Sequence, residues 1–291
     1  MRLANLVSTK PGSTAAEHLH RAVSSVPDGS HLVIVGAHHF ADDANDPLRA
    51  VVGERAWGGA LLVEASPPIA HELQRSIRER NPLPRVPSNK VIVSNVGIRD
   101  NIPKGRRNVT RPFFTFTGTG GGLPSWSTQV GTFNHARLRA RFQYFEMATR
   151  GNWTRQAMQA KVVRSEVACR SLVEELRSHT ALAPPRPAVM LIDVEGLDCR
   201  VVAAQDWCAE PLSHIQLLVF EYKHCTDQAL RAAQRSLARC PWHGPSYTKG
   251  SVRVEHGPTF ANRENVFYMR GGADGRAGGW AMVPDREFRK Q

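Results

Sequence analysis

Short apolar runs recur along the chain, and each of them ends on a glycine or a polar residue. The runs span residues 31–36, 60–64, 90–95, 189–193 and 214–221. Buried strands of parallel sheets are short and continuously apolar, because both faces of such a sheet are covered. The pattern therefore predicts five buried strands, each followed directly by a turn or a loop.

Segments with the apolar spacing of a helix lie between several of these runs. The segments 69–80, 169–179 and 226–240 carry apolar residues three or four positions apart, which is the spacing of one helix face. The last apolar run, 265–269, is typical of a closing strand. Because strands that alternate with helices form βαβ units, we predict an α/β fold with a doubly wound, mostly parallel sheet.

The chain is long enough for one large α/β domain, and no linker or repeat divides it. We therefore expect a single domain over residues 1–270. The stretch 99–161 is an insert between the third and fourth strands, and it is expected to serve as a lid or a substrate wall. The glycine-rich stretch 271–291 is predicted to be a loose tail. No run is apolar and long enough to span a membrane.

Basic residues dominate the first part of the insert. The net charge of the chain is +12, and residues 99–141 contain one acid and eight basic residues, namely Arg99, Lys104, Arg106, Arg107, Arg111, Arg137, Arg139 and Arg141. Such a surface attracts anionic substrates, anionic lipids or nucleic acid, but it is equally typical of a solvated face. No compact nucleic-acid motif accompanies it, so we do not expect nucleic acid as the partner, although the charge permits it.

The five cysteines are odd in number and lack CxxC spacing, which favours reduced thiols over a disulfide framework or a zinc site. The N-terminus has no secretory apolar core. Both observations predict a cytoplasmic protein. Acidic strand ends together with His224 offer oxygen and imidazole ligands for a divalent cation, but their spacing does not require one, and no metal is predicted.

The residues at the strand ends predict a binding site. Gly36 follows the first strand and allows the backbone to approach a ligand, while Glu64 ends the second, where an acid accepts hydrogen bonds from ribose hydroxyls. Asn95 ends the third strand, where its amide can read an adenine edge, and Asp193 and Glu195 follow the fourth. Each residue alone also has a structural explanation, such as a turn or a cap of the next helix. Together they predict an adenosine-containing cofactor across the carboxyl edge of the sheet.

The fourth strand end carries the most specific motif. Residues Ile192-Asp193-Val194-Glu195-Gly196, with an acid two residues later at Asp198, resemble the FkbM-type family of S-adenosylmethionine-dependent methyltransferases. Three further segments are similar to the corresponding strands of that family, namely Val63-Glu64-Ala65-Ser66-Pro67, Asn95-Val96-Gly97-Ile98 and Val219-Phe220-Glu221. The resemblance covers residues 32–221.

The resemblance implies a Rossmann-like sheet of seven mostly parallel strands, with the last strand antiparallel. It also implies S-adenosyl-L-methionine as the cofactor, bound by Gly36, Ala37, His38, Glu64, Asn95 and Asp193. The catalytic residues implied at the reaction edge are Asp193, Glu195 and Glu221. The activity implied is methyl transfer, with a hydroxyl of a small molecule or a glycan as the first choice of acceptor. The basic insert would suit an anionic acceptor.

Two departures from the family keep an alternative open. His38 stands where the family has Asn, and Phe40 stands where it has a second glycine. In the alternative, the altered loop no longer binds cofactor, and a non-catalytic protein binds an anionic partner through its basic face. The proton acceptor is also open, with Asp193, Glu195, Glu221, His38, His39, His135 and His224 as candidates. Three aromatic residues either stack on the acceptor or pack within the insert, namely Trp126, Phe133 and Tyr144.

Overall fold

A computed structural model describes residues 23–24, 26–38, 55–80, 83, 85–100, 102, 109–116, 131–148, 153–179, 188–222, 224–240, 242–247 and 265–270. The strands of this part of the chain are β1 (His31–Val35), β2 (Gly59–Val63), β3 (Val91–Ser94), β4 (Gly97–Ile98), β5 (Val109–Phe116), β6 (Val162–Arg170), β7 (Ala188–Ile192), β8 (Ile215–Glu221), β9 (Trp242–Tyr247) and β10 (Asn265–Arg270). The α-helices are α1 (Pro67–Arg80), α2 (His135–Ala148), α3 (Arg155–Gln159), α4 (Leu172–Ser178), α5 (Asp198–Ala203) and α6 (Asp227–Leu237). Strands and helices alternate over most of the described residues, so the predicted α/β class is confirmed.

The main sheet has the strand order β3-β2-β1-β7-β8-β10-β9. Its first five strands are parallel, and β10 runs antiparallel to β8. The order reverses between β1 and β7, because the chain first builds outwards from β1 to β3 and then returns to the other side of β1. In doubly wound sheets, ligands bind in the crevice at the carboxyl edge beside such a switch point.

Both faces of the parallel strands are covered. One face buries Val33, Leu61, Met190 and Leu218 against a layer that includes α4, α5 and α6. The opposite face buries Leu32, Leu62, Val189 and Leu217 against residues of α1 together with Val23, Val26 and Trp57. Successive strand residues alternate between the two clusters, as the period of a β-strand requires. β1, β2 and β7 are buried at every position because they face protein on both sides, and β8 is buried except at Gln216. The predicted burial is wrong for the third strand, because residues 91–93 of β3 are only half-buried.

The stretch 99–161 forms more regular structure than the sequence predicted. β5 pairs antiparallel with β6, and β6 pairs parallel with β4, which gives a second sheet of order β4-β6-β5. Residues of α2, α3 and β5 share a small core of their own, made of Phe116, Leu138, Phe142, Trp153 and Met158. Whether this unit acts as a lid or a substrate wall stays a prediction.

The prediction of a helix from residue 169 is wrong at its start. Cys169 and Arg170 belong to β6, where they pair with β4. The helix begins only after Ser171, which accepts a hydrogen bond from the Glu174 N–H while the Glu174 carboxylate accepts one from the Ser171 N–H. This reciprocal capping satisfies two backbone donors that a helix start otherwise leaves without partners.

The prediction that the cysteines are reduced thiols is wrong for four of them. Cys199 is joined to Cys225 and Cys208 to Cys240, while Cys169 is a buried free thiol. The cysteine spacing was uninformative because both bridges connect segments that only the fold brings together. No helix among the described residues has the length and apolar character needed to cross a membrane.

Candidate active site at the carboxyl edge of the sheet

Strand register places the predicted site residues at one level of the sheet. Val35 lies beside both Val63 and Ile192, Val63 lies beside Ser94, and Ile192 lies beside Phe220. The residues that come next along the five strands are Gly36, Glu64, Asn95, Asp193 and Glu221. Since parallel strands all leave the sheet in the same direction, these five residues lie side by side along its carboxyl edge.

Gly36 brings the ends of β1 and β7 into direct contact. Its φ angle is +80°, and a Cβ atom at this position would overlap the carbonyl oxygen of Asp193. The N–H groups of Gly36 and Ala37 both donate to the carbonyl oxygen of Val63 at 2.9 Å. Only glycine fits this combination of backbone angle and close approach. Gly36 therefore does more than end a strand, because it fixes the loop after β1 against both neighbouring strand ends.

Glu64 holds the same loop through its carboxylate. Its Oε2 accepts the N–H of His38 at 2.8 Å, and its Oε1 accepts the N–H of Ser66 at 2.7 Å. The side chain is buried, which raises the pKa of Glu64 above its usual range, while these backbone N–H groups act in the opposite direction. Each carboxylate oxygen has a second lone pair, so hydrogen bonds to ribose hydroxyls stay a prediction for this residue.

The backbone at His38 explains one departure from the resembled family. Its φ angle is +45°, in the left-handed region where asparagine, aspartate and histidine are enriched among residues with a Cβ. Histidine is therefore compatible with the left-handed backbone at this position. The other departure, Phe40, and the neighbouring His39 lie outside the described residues.

Asn95 ties the end of β3 to the turn after β2. Its Nδ2 donates to the carbonyl oxygen of Glu64 at 2.8 Å and to that of Ala65 at 3.2 Å. The amide nitrogen thus supports the loop that carries Glu64. A contact of Asn95 with adenine stays a prediction, and in this orientation the side-chain oxygen Oδ1 would make it.

The turn after β7 is organised by a residue that was not among the predicted site residues. The buried carboxylate of Asp198 accepts the N–H of Val194 at 2.8 Å and the N–H of Gly196 at 2.9 Å. Burial raises the pKa of Asp198 to about 7, and the nearby Glu195 carboxylate adds to the rise. The alternative that Asp193 or Glu195 caps the next helix is wrong, because α5 starts at Asp198 and its N-cap, Leu197, makes no side-chain cap.

Asp198 therefore sets the direction of the acids before it. With the turn wrapped around its carboxylate, Glu195 takes a φ angle of +53° and Gly196 one of +90°. A non-glycine residue with positive φ costs free energy and persists only where the surroundings hold it. Asp193 is exposed at the sheet edge, and the Glu195 side chain is partly exposed.

Arg141 of the insert reaches this edge, which the sequence did not predict. Its Nη2 lies 2.6 Å from Oε2 of Glu195 and 3.2 Å from Nε2 of His224. The Nε2 atom of His224 lies 4.0 Å from Oε1 of Glu221, which is too long for a hydrogen bond. We call these four residues, Arg141, Glu195, Glu221 and His224, the edge cluster. It joins α2 to the loops after β7 and β8.

Two further residues that the sequence predicted as candidates, one for proton transfer and one for stacking on the acceptor, lie within the insert. The Nε2 atom of His135 is 3.5 Å from Nε2 of Gln159, and its ring stacks on Phe114 with centroids 4.8 Å apart. Phe133 packs edge-on against Phe113 with centroids 4.8 Å apart, and a Cβ at Gly97 would overlap its ring. Both side chains thus have packing roles. Trp126 lies outside the described residues, as does the side chain of Tyr144.

Comparisons with known proteins give only distant likenesses. No protein-family model and no curated protein matches the sequence. A protein of the NADB-Rossmann superfamily from Streptococcus agalactiae is 12% identical with a TM-score of 0.35, and the match covers 90% of this chain and 71% of that one. A SAM-dependent O-methyltransferase from Thermotoga maritima is 9% identical with a TM-score of 0.37, and the match covers 92% and 69%.

Both TM-scores are too low to support an argument about activity. The Rossmann-like character of the chain follows from its own topology. The five parallel strands β3-β2-β1-β7-β8 have the order 3-2-1-4-5 of dinucleotide-binding sheets when the strands of the sheet are numbered along the chain.

Proposed function

We propose that the chain is an S-adenosylmethionine-dependent methyltransferase of the FkbM type that methylates a hydroxyl of a small-molecule or glycan acceptor. The observation that carries the proposal is the common level of the strand ends. A glycine, an acid, an asparagine and two further acids stand at the carboxyl ends of five adjacent parallel strands, at the same level of the register. Ligands of doubly wound sheets bind at this edge.

The groups at this edge suit the cofactor. The Glu64 carboxylate matches the two ribose hydroxyls, and Asn95 provides an amide for the adenine edge. Gly36, Ala37 and His38 form the loop that would run beneath the methionine part. Asp193 is an exposed carboxylate beside that loop, and carboxylates favour the ammonium and sulfonium charges of the cofactor.

When bound, the cofactor supplies a methyl group on a positively charged sulfur. The task of the protein is then to hold the acceptor oxygen in line with this methyl group and to take up the hydroxyl proton. Asp193, Glu195 and Glu221 are the proposed reaction-edge residues, because carboxylates at this edge would favour the positive charge of the sulfonium group. Arg141 and His224 of the edge cluster, together with the basic insert, would form the acceptor side of the site.

Calorimetric titration with S-adenosylmethionine and S-adenosylhomocysteine tests the proposal. We expect both to bind, and Glu64→Gln to weaken binding at least about tenfold, because a charge-assisted hydrogen bond contributes roughly 1.5–3 kcal/mol. Glu72→Gln is the matched control, since it makes the same change on the exposed side of α1 and should bind as wild type. Asn95→Ala serves as a second variant in case Glu64→Gln does not fold. A folded wild-type chain that binds neither compound would reject the proposal.

A second candidate function is non-catalytic binding of an anionic partner. It is favoured by the net charge of +12 and by the exposed arginines Arg111 and Arg139, which lie on two elements of the insert. In this alternative, the loop containing Phe40 does not admit the cofactor. The calorimetric titration separates the two functions, because only the first requires cofactor binding.

The compartment is also part of the proposal. The sequence predicted a cytoplasmic protein, but disulfides persist in oxidising compartments and are rare where thioredoxin and glutathione keep thiols reduced. The Cys199–Cys225 and Cys208–Cys240 bridges therefore favour an oxidising compartment. A glycan acceptor is compatible with such a compartment.

A further inference from the structure

Three separate elements meet at one guanidinium in the edge cluster. Arg141 comes from α2 of the insert, Glu195 from the turn after β7, and His224 from the loop after β8. Arg141 donates to Oε2 of Glu195 at 2.6 Å while the same nitrogen contacts Nε2 of His224 at 3.2 Å. The guanidinium of Arg141 therefore bridges the His224 imidazole and the Glu195 carboxylate at the sheet edge.

The contact with Arg141 decides which nitrogen of His224 carries the proton. A guanidinium only donates hydrogen bonds, so the Nε2 atom that faces it must accept. His224 is then neutral, with its proton on Nδ1 and a lone pair on Nε2. Two other histidines show the opposite arrangement, because Nε2 of His179 lies 2.6 Å from Oε1 of Glu175 and Nε2 of His214 lies 2.8 Å from Oε1 of Glu210. A carboxylate only accepts, so these two rings carry a proton on Nε2.

The two residues that directly follow His224 are both anchored, while the side chain of His224 stays partly accessible. Cys225 is bonded to Cys199 of α5, and Thr226 caps α6 by accepting the Ala229 N–H at 3.2 Å. The side chain of His224 is 33% exposed, so a ligand can reach the ring. The chain is thus anchored directly after a partly exposed imidazole at the sheet edge.

We propose that His224 is the proton acceptor of the methyl transfer and that Arg141 is its positioning residue. The inference rests on the proposed function and specifies the acceptor class: a neutral hydroxyl, which must lose a proton, rather than a carboxylate, which has none to lose. The 3.2 Å contact to His224 is longer than the 2.6 Å contact to Glu195. A hydroxyl can therefore take the Nε2 lone pair while Arg141 remains on Glu195.

The step balances without a further reactant. A lone pair of the acceptor oxygen forms the new bond to the methyl carbon, and the electron pair of the broken carbon–sulfur bond stays on sulfur. The hydroxyl proton passes to Nε2 of His224, which becomes an imidazolium. Two fixed charges act on the new imidazolium: Arg141, 3.2 Å from that nitrogen, opposes it, and Glu221, whose Oε1 lies at 4.0 Å, stabilises it.

Nitrogen-15 NMR of the imidazole rings tests the positioning role without any ligand. At neutral pH we expect the Nδ1–H form for His224 and a proton on Nε2 for His179 and His214. Arg141→Lys should keep the His224 pattern because it retains a donor-only cation, whereas Arg141→Met should lose it. Arg139→Met, an exposed arginine on the same helix, is the matched control and should leave it unchanged. A proton on Nε2 of His224 in the wild-type chain would overturn the assignment.

The catalytic role is tested with a labelled methyl donor and a mixture of simple sugars and phenols as acceptors. We expect His224→Gln to lower the transfer rate by about 10²–10⁴-fold, the usual contribution of a general base. His214→Gln, the control, should keep the wild-type rate. Calorimetry separates this inference from the proposed function, since His224→Gln should bind S-adenosylmethionine as the wild type does. An unchanged transfer rate in His224→Gln would overturn the inference while leaving the proposed function in place.

Discussion

At the residue scale, the site depends on positive φ angles, which most residues with a Cβ atom avoid. Gly36, His38, Glu195 and Gly196 all have positive φ, and they lie in the two loops that follow β1 and β7. Each such residue with a Cβ costs free energy that the surrounding hydrogen bonds must offset. Here the offset comes from the buried carboxylate of Glu64 in one loop, and from that of Asp198 in the other.

Comparing Gly36 with Gly29 separates the cost of the close approach between Gly36 and the Asp193 carbonyl from the cost of a positive φ angle. Both have φ near +80°, at +80° and +77°, but a Cβ at Gly29 meets no atom within 4 Å, whereas one at Gly36 overlaps the Asp193 carbonyl. We expect Gly29→Ala to lower the free energy of unfolding by about 1–2 kcal/mol, the cost of the backbone angle alone. Gly36→Ala should cost roughly 1–3 kcal/mol more, because the overlap must be relieved. Urea denaturation measures both, and equal losses would contradict the close approach.

The sequence predicted the residues at the strand ends but not the residues that hold them in position. Gly36, Glu64 and Asp193 could be found because each directly follows an apolar run. The role of Asp198 depends on whether its side chain turns inward, which a sequence pattern does not determine. Arg141 meets Glu195 across 54 positions of sequence, so their contact depends on how the whole insert folds back.

At the element scale, burial decides which strands could be predicted. β1, β2 and β7 are buried at every position, so they are continuously apolar in the sequence. β6 was missed because it is mostly half-exposed and carries an ion pair between Arg164 and Glu166 on its surface. β5 contains a proline and only becomes recognisable when paired with β6.

The two disulfides have different positions relative to the site, although one joins α5 to the residue before the N-cap of α6 and the other joins the segment after α5 to the segment after α6. Each half of Cys199–Cys225 is adjacent in sequence to a residue of the site, namely Asp198 and His224, while Cys208–Cys240 has no such neighbour. The sequence separations of 26 and 32 residues are similar, so the entropic contributions should be similar. Their effects on stability should therefore be similar, whereas their effects on the site should differ.

Serine pairs test this difference. We expect Cys199→Ser/Cys225→Ser and Cys208→Ser/Cys240→Ser each to lower the free energy of unfolding by about 2–4 kcal/mol. Only the first pair should speed hydrogen exchange at the Val194 and Gly196 amides, because their acceptor, Asp198, directly precedes Cys199. Thiol titration of the denatured, unreduced chain should find one free cysteine, Cys169, among the five. Five thiols in protein prepared without reductant would contradict both bridges.

At the scale of the whole molecule, charge is distributed unevenly. The net charge is +12, yet three carboxylates, on Asp193, Glu195 and Glu221, lie around the carboxyl edge of the sheet. Arg141 brings the basic insert to this acidic edge. A cationic cofactor and an anionic acceptor would therefore each meet charge of the opposite sign, on different sides of the site.

The same uneven charge predicts how the chain binds polyanions. On a heparin column we expect retention that falls steeply with salt, because released counterions drive such binding. If the insert provides the binding face, Arg139→Glu should elute at clearly lower salt than the wild type. Arg78→Glu, which makes the same exchange at an exposed position of α1, should shift elution less. Equal shifts would mean that net charge alone drives retention, and the non-catalytic alternative would then lose its proposed binding face. A larger shift for Arg139→Glu, together with wild-type cofactor binding, would assign the insert to capture of an anionic acceptor.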